Sequence, residues 1–292
     1  SRGRMIWIAV GVAALALIAG VLWWLLFITE GIYLGRGAVI WLYDLYAGRY
    51  DNIKQYEPEL EHYFLAHPVL DRLPHVAAPL VLDVATGTGR LPLALLEQPR
   101  FQGRVIALDL SRKMLAGAAE KLAPFGARVT LLHHAAEYLP FPDDTFDLVT
   151  CLEALEFMME PRAVLPELVR VLRPGGLLVL TNRQGIDAKL MPGRTFRHDD
   201  LARLLRDDLG LDRVVIDAWQ VDYRIVWAYK PGHAPPSGPR DLAEVWRCPH
   251  CGAVDLIPVA GGWRCLACEQ HVAAGPDGVI EAHAVAESGR PG

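Results

Sequence analysis

From Met5 to Ile28 the chain runs for 24 residues without a charged side chain, as MIWIAVGVAALALIAGVLWWLLFI. At 1.5 Å per residue a helix of that length reaches about 36 Å, enough to cross a hydrocarbon core of roughly 30 Å with some tilt. Trp7 near one end, and Trp23 and Trp24 near the other, stand where interfacial aromatic belts occur. A cleavable signal peptide has an apolar core of about 7–15 residues that ends in small residues, whereas this run ends in WWLLFITE. The pattern predicts a retained single-pass transmembrane anchor over residues 1–30. Residues 31–75 are rich in aromatics, and Arg36, Asp44 and Arg49 rule out a second simple span. This stretch reads as amphipathic helices that lie on the bilayer or cap the domain that follows.

From Pro79 the period changes. Short apolar runs alternate with helical patterns, which is the mark of a parallel α/β sheet. Strands are expected at Leu80–Val84, Arg104–Asp109, Arg128–His133, Phe146–Cys151 and Gly176–Asn182. A closing pair at Arg213–Trp219 and Tyr223–Lys230 is separated by three residues and should form an antiparallel hairpin. Residues 76–231 are therefore expected to form an α/β domain with a Rossmann-like, seven-stranded sheet. Ser111 and Pro161 fit helix starts, and Pro174-Gly175-Gly176 marks the turn into the fifth strand.

The last 60 residues follow another pattern. The run PGHAPPSGPR, which starts at Pro231, makes residues 232–245 read as a linker. Over residues 246–273, Cys248-x-x-Cys251 and Cys265-x-x-Cys268 are separated by 13 residues. Two such knuckles aim four thiolates at one point, the pattern of a structural zinc ribbon. So short a segment lacks the apolar surface to fold alone, and the metal makes up the deficit. Residues 274–292, small and polar, are expected to form a disordered tail. The fifth cysteine, Cys151, has no partner in the pattern and reads as a buried apolar residue.

The net charge of −5 comes without a basic stripe, which argues against nucleic acid as a partner. The candidate chemistry begins at Asp83-Val84-Ala85-Thr86-Gly87-Thr88-Gly89. Small residues there let the backbone approach a ligand beside a helix N-terminus. Asp109 lies 20 residues beyond Gly89 at the end of the next strand, where an acid can take both hydroxyls of a ribose. A dinucleotide fingerprint needs a third Gly or Ala, and Pro92 occupies that place. The spacing therefore favours an adenosyl ligand.

The runs VLDVATGTGRL, VIALDLSRKML, AAEYLPFPDDTFDLV and RVLRPGGLLVLTN, in this order, resemble the ubiquinone/menaquinone-type group of class I S-adenosylmethionine-dependent methyltransferases. The likeness extends from about Tyr43 to Lys230. It implies a cofactor pocket in which Gly87, Thr88 and Gly89 underlie the methionine moiety and Asp109 holds the ribose. Leu110 packs on the adenine, Ala135 and Ala136 lie along its edge, and Leu152 sits beside the methionine part. Two positions depart from the group. Ala135 stands where an acid often accepts from the adenine amine, with Glu137 the substitute. CLEALEFMM replaces an FGLRN-like stretch, so the likeness carries over to the cofactor and not to the quinone head group.

Glu156 is the candidate general base for the acceptor and Glu153 the second, although carboxylates also favour first helical turns for structural reasons. His133 and His134 end the third strand on the ligand side, where histidines are commonly structural. The sequence as a whole reads as a membrane-anchored methyltransferase acting on a lipid or hydrophobic small molecule. A rival reading is an inactive cofactor-binding adaptor that holds the ribbon at the membrane for a protein partner. Arg2 and Arg4 before the apolar run favour a cytoplasmic N-terminus. The need for S-adenosylmethionine and free thiolates outweighs those charges and puts the catalytic domain in the cytoplasm.

Overall fold

The computed structural model describes residues 2–54, 56–73 and 76–282. Helix α1 (Arg2–Trp23) continues through a wider π turn, Trp24–Ile28. Together they form the stretch long and apolar enough to cross a membrane among the described residues, and none of that window is buried. The chain then turns at Gly31 into α2 (Arg36–Tyr46) and α3 (Tyr50–Lys54). Two contacts tie this turn to the domain behind it. Trp24 Nε1 donates to the Leu190 carbonyl at 3.0 Å, and the Tyr33 hydroxyl donates to the Pro192 carbonyl at 2.7 Å.

The domain is built on seven strands: β1 Leu80–Val84, β2 Arg104–Asp109, β3 Val129–His133, β4 Phe146–Cys151, β5 Leu172–Arg183, β6 Asp212–Ala218 and β7 Tyr223–Tyr229. Their order across the sheet is β3-β2-β1-β4-β5-β7-β6. The first five are parallel, and β7 runs antiparallel between β5 and β6. Strands β1 and β4 are buried along their whole length, because helices cover both faces of a parallel sheet. Reversal of strand order around β1 opens a crevice at the carboxyl ends of β1, β2 and β4, where open α/β sheets bind ligands.

The expected strands match the observed ones within a residue or two, with one exception. β5 starts at Leu172 and takes Pro174-Gly175-Gly176 into the strand. The register jumps between Phe146↔Leu172 and Leu148↔Leu177. A Cβ on Gly176 would meet the Arg173 carbonyl at 2.9 Å and the Leu172 side chain at 2.7 Å, so only glycine fits this irregularity.

A second sheet joins β8 (Leu256–Val259), β9 (Gly262–Cys265) and β10 (His271–Ala273) in the order β10-β9-β8. The segment before it is docked on the domain. The Ser237 N–H donates to Asp147 at 3.0 Å, Arg240 donates to the Thr145 carbonyl at 2.8 Å, and Leu242 and Val245 are buried. Residues 274–282 also differ from the disordered tail expected of them. Val279, Ile280 and Ala282 are buried, and Ile280 pairs with Leu132 at the free edge of β3. The contact is made by Val279 and Ile280, the apolar pair within an otherwise small and polar stretch. The expected tail beyond 282 lies outside the described residues.

Candidate active site and metal centre

The crevice holds a cavity of about 810 Å³, its open mouth included. Ala85 and Gly87 come from the loop after β1, Leu108 to Ser111 from the end of β2, and His134, Ala136 and Glu137 from the turn after β3. Leu152, Glu153, Ala154 and Phe157 to Met159 follow β4. Arg36, Val39, Ile40 and Tyr43 of α2, with Tyr50 of α3, close it from the N-terminal side. A smaller adjoining cavity is lined by Asp83, Thr86, Thr88 and Arg90 and shares Tyr50, Gly87 and Glu153 with the first.

Asp109 is fixed by backbone on both oxygens. Gly87 N–H donates to Oδ2 and Ser111 N–H donates to Oδ1, each at 2.8 Å. Burial raises its pKa, opposed by these N–H groups. Each oxygen keeps a lone pair for a further donor, which suits a pair of vicinal hydroxyls. Gly87 itself has φ 55°, the left-handed conformation glycine adopts freely. Gly89 (φ 83°) works from behind the loop, since a Cβ there would come within 2.9 Å of Leu122. Asp83, wholly buried, accepts from Thr150 Oγ1 at 2.6 Å, and burial pushes its pKa up to about 6.

Most of the expected cofactor residues converge here. Ala85, Gly87, Asp109, Leu110, Ala136, Glu137 and Leu152 line the larger cavity, and Asp83 and Thr88 line the smaller one. Ala135 does not line either cavity. Its carbonyl bonds to His134 Nδ1 at 2.8 Å, and it is the His134 ring that forms the wall. Glu137 is paired with Arg36 at 2.8 Å, which ties the turn after β3 to α2.

The two candidate bases behave differently from expectation. Glu153 lines both cavities but sits at φ 49°, with its carboxylate bound to Lys54 at 2.9 Å and to Arg90. Burial raises its pKa, and the two cations outweigh that and leave it below the usual carboxylate range. An ionised carboxylate held by two cations ties α3 to the loop after β4 and is a poor proton acceptor. Glu156 is 2 % exposed and lines neither cavity. It accepts from the Tyr223 hydroxyl at 2.5 Å behind the wall, and burial raises its pKa. The short 3-10 turn Leu155–Phe157 carries it inward and gives Phe157 the exposed place on the cavity. Cys151 is buried, as expected, and burial moves its thiol pKa upward.

Arg36, Tyr43, Tyr50, Ser111 and Phe157 were not expected as site residues. The signal for the two tyrosines was the aromatic run after the apolar segment, whose docking on the crevice is a tertiary contact. Burial raises the pKa of both well above the ordinary tyrosine value, so they present neutral hydroxyls.

The ribbon cysteines meet as the spacing predicts. One ligand atom from each of Cys248, Cys251, Cys265 and Cys268 lies within 4.8 Å of the others. The Sγ separations are 3.8 Å for Cys248–Cys268 and 3.7 Å for Cys251–Cys265. A tetrahedral ion with Zn–S bonds of about 2.3 Å has edges of about 3.8 Å, so the four thiolates fit such an ion.

Residues 81–176 match the family model of the methyltransferase domain. The core is a class I S-adenosylmethionine-dependent methyltransferase domain. Among curated relatives, the ubiquinone/menaquinone biosynthesis C-methyltransferase UbiE of Geobacter sulfurreducens is 39% identical over 34% of this chain and 40% of its own length. A demethylmenaquinone methyltransferase of Lysinibacillus sphaericus is 42% identical over 34% of this chain and 42% of its own length. The chain thus spans about two fifths of the length of these relatives. The solved [4+2]-cyclase SpnF superposes with a TM-score of 0.56 at 19% identity, covering 67% of this chain and 97% of its own. That likeness shows the fold alone, and a cyclase on this fold is a reminder that the reaction must be argued from the site.

Proposed function

We propose that the chain transfers a methyl group from S-adenosylmethionine to a hydrophobic, membrane-resident acceptor. The observation that carries this reading is the composition of the larger cavity. A backbone-fixed carboxylate, Asp109, stands at one end, and Val39, Ile40, Phe157, Met158 and Met159 form an apolar approach. Asp109 would hold the ribose hydroxyls, and Leu110, His134 and Ala136 would flank the adenine. The loop from Ala85 to Gly89 would lie under the methionine part. When bound, S-adenosylmethionine supplies a methyl group already activated on a sulfonium. The protein's own task is then to orient the acceptor and exclude water, an effect that reaches roughly 7–11 kcal/mol in well-aligned systems. Tyr43, Tyr50 and Phe157 serve that task by closing the cavity over the loop after β1.

The acceptor's class follows from where the apolar approach leads. Helix α2 lines the cavity on one face and exposes Trp41 and Leu45 on the other, directly after the apolar helix. Ile186 and Leu190 are further exposed apolar residues, and the Leu190 carbonyl accepts from Trp24 at the end of the apolar helix. An anchored domain with such a face would take its acceptor from the bilayer, with the domain on the cytoplasmic side. The relatives named above are quinone methyltransferases, and a prenylated quinone belongs to the proposed acceptor class. The four thiolates would hold a structural zinc ion. Full-length protein incubated with methyl-labelled S-adenosylmethionine and native membranes should place label in the organic phase on extraction. Label confined to the aqueous and protein fractions would count against a lipid-phase acceptor.

A further inference from the structure

Strand β3 is one of the two edge strands of the seven-stranded sheet, beside the strand that ends in Asp109. An exposed edge is a template for another strand, and here the chain covers it with its own C-terminal segment. His133 N–H donates to the Ile280 carbonyl at 2.8 Å, and Ile280 N–H donates to the Leu131 carbonyl at 3.0 Å. The same segment is bound to the metal ribbon. Glu281 N–H donates to the carbonyl of Ala273, the last residue of β10, at 2.8 Å, and Gly275 N–H donates to Val279 at 2.8 Å. One short turn therefore belongs to both sheets.

Its side chains reach the cofactor wall. The Glu281 carboxylate takes Arg112 Nε on one oxygen at 2.5 Å and His133 Nδ1 on the other at 2.9 Å. His133 Nε2 lies 3.1 Å from the carbonyl of Leu110, the residue that follows Asp109 and lines the cavity. Arg112 is also gripped by Asp277, at 2.9 and 2.7 Å. It opens the helix Arg112–Leu122, whose N-cap Ser111 donates its backbone N–H to Asp109. The two residues that follow Asp109 thus connect to a single carboxylate on the ribbon side, Leu110 through the His133 side chain and Ser111 through its chain neighbour Arg112.

We infer that the ribbon acts as an intramolecular clamp on the adenosyl wall, with Glu281 as the positioning residue that passes its order to Leu110 and Ser111. This rests on the proposed cofactor pocket only for its effect on binding. The ordering of residues 109–112 is a property of the free protein. Glu281 touches no reacting atom, and its carboxylate lies outside the four-cysteine cluster.

The test uses full-length protein in detergent, as wild type, as Glu281→Gln and after chelation of the ribbon metal. Backbone hydrogen exchange and calorimetric titration with S-adenosylhomocysteine are read together with elemental analysis. Glu281→Gln should keep its metal and its far-ultraviolet dichroism. It should exchange faster at residues 109–112 and bind S-adenosylhomocysteine about five- to tenfold more weakly, the usual size of coupling between sites. Metal removal should produce the same local change with at least the same loss of affinity. Unchanged exchange at 109–112 in either protein would overturn the clamp. If the wild type fails to bind S-adenosylhomocysteine, the pocket reading fails, and the exchange result still decides the clamp. A variant that melts earlier but exchanges and binds like the wild type would assign Glu281 to stability alone and contradict the inference.

Discussion

The two sheets of this molecule are held together by different physics. In the seven-stranded sheet, β1 and β4 bury every residue, and helices cover both faces. In the three-stranded sheet, β8 and β10 each bury a single residue, Leu256 and Val272. Burial at roughly 25 cal/mol per Å² can hold the first sheet without help, whereas the second has too little apolar surface of its own to stand alone. The small sheet relies on two other devices. Four cysteine sulfurs converge at one end, and Trp246, Ile280 and Val272 pack into the same cluster as Leu132, Leu139 and Phe141 of the large domain. The ribbon is therefore continuous with the domain's core and does not hang from a tether.

That contrast can be broken most directly at the metal. Cys265→Ser combined with Cys268→Ser should abolish metal binding on elemental analysis. It should also melt the ribbon, at a cost of about 5 kcal/mol or more, judged by the large share of folding energy that structural zinc supplies in small domains. Retention of one metal per chain in that variant would refute the four-cysteine site. The next largest effect is expected at Trp246, which is fully buried against Trp263 in an edge-to-face pair 5.6 Å apart. Trp246→Ala should cost about 3–5 kcal/mol in denaturant melts. A loss below about 1 kcal/mol would mean that the ribbon is not docked as described.

The large sheet makes a prediction of its own, through a buried acid that the small sheet lacks. Burial raises the Asp83 pKa from 3.8 to about 6. The folded state then binds this proton more tightly than the unfolded chain. Its contribution to stability is fully present below about pH 4 and is lost as the pH rises to about 6. A shift of that size corresponds to roughly 3 kcal/mol. The difference in stability between wild type and Asp83→Asn should therefore change in the variant's favour across pH 4 to 6. A difference that stays flat would mean that Asp83 titrates normally. The smallest effect belongs to the hinge between the apolar helix and the domain. Tyr33→Phe removes the bond to the Pro192 carbonyl and should cost about 1 kcal/mol. It should also speed exchange around Pro192, and unchanged exchange there would show that the contact carries no load.

The parts legible in the sequence are those fixed by local period. Apolar runs bounded by turns located the strands of the domain; β1 and β4, buried on both faces, read as continuous runs, whereas the mostly exposed β6 was legible through its short separation from β7. The glycine loop, Asp109 and the cysteine pairs were legible for a similar reason, since each is a short motif whose spacing is its geometry. What the sequence did not show depends on contacts between distant segments. Nothing in the small residues of 274–282 announces a fit to the edge of β3. Nothing in CLEALEFMM shows that Glu153 sits at positive φ, or that Glu156 turns away from the cavity toward Tyr223. The aromatic run after the apolar helix was visible, but its role as the lid over Gly87 required the fold.

The proposed chemistry depends on the pocket at the ends of β1 and β2. Calorimetric titration of the full-length protein in detergent with S-adenosylmethionine tests it most directly, comparing wild type with Asp109→Ala. The account predicts one site per chain in the wild type. In the variant it predicts binding weakened at least tenfold, the loss expected for about 1.4 kcal/mol or more from two charge-assisted hydrogen bonds, with the ribbon metal retained. Equal affinity in the two proteins, or no binding by the wild type, would contradict it.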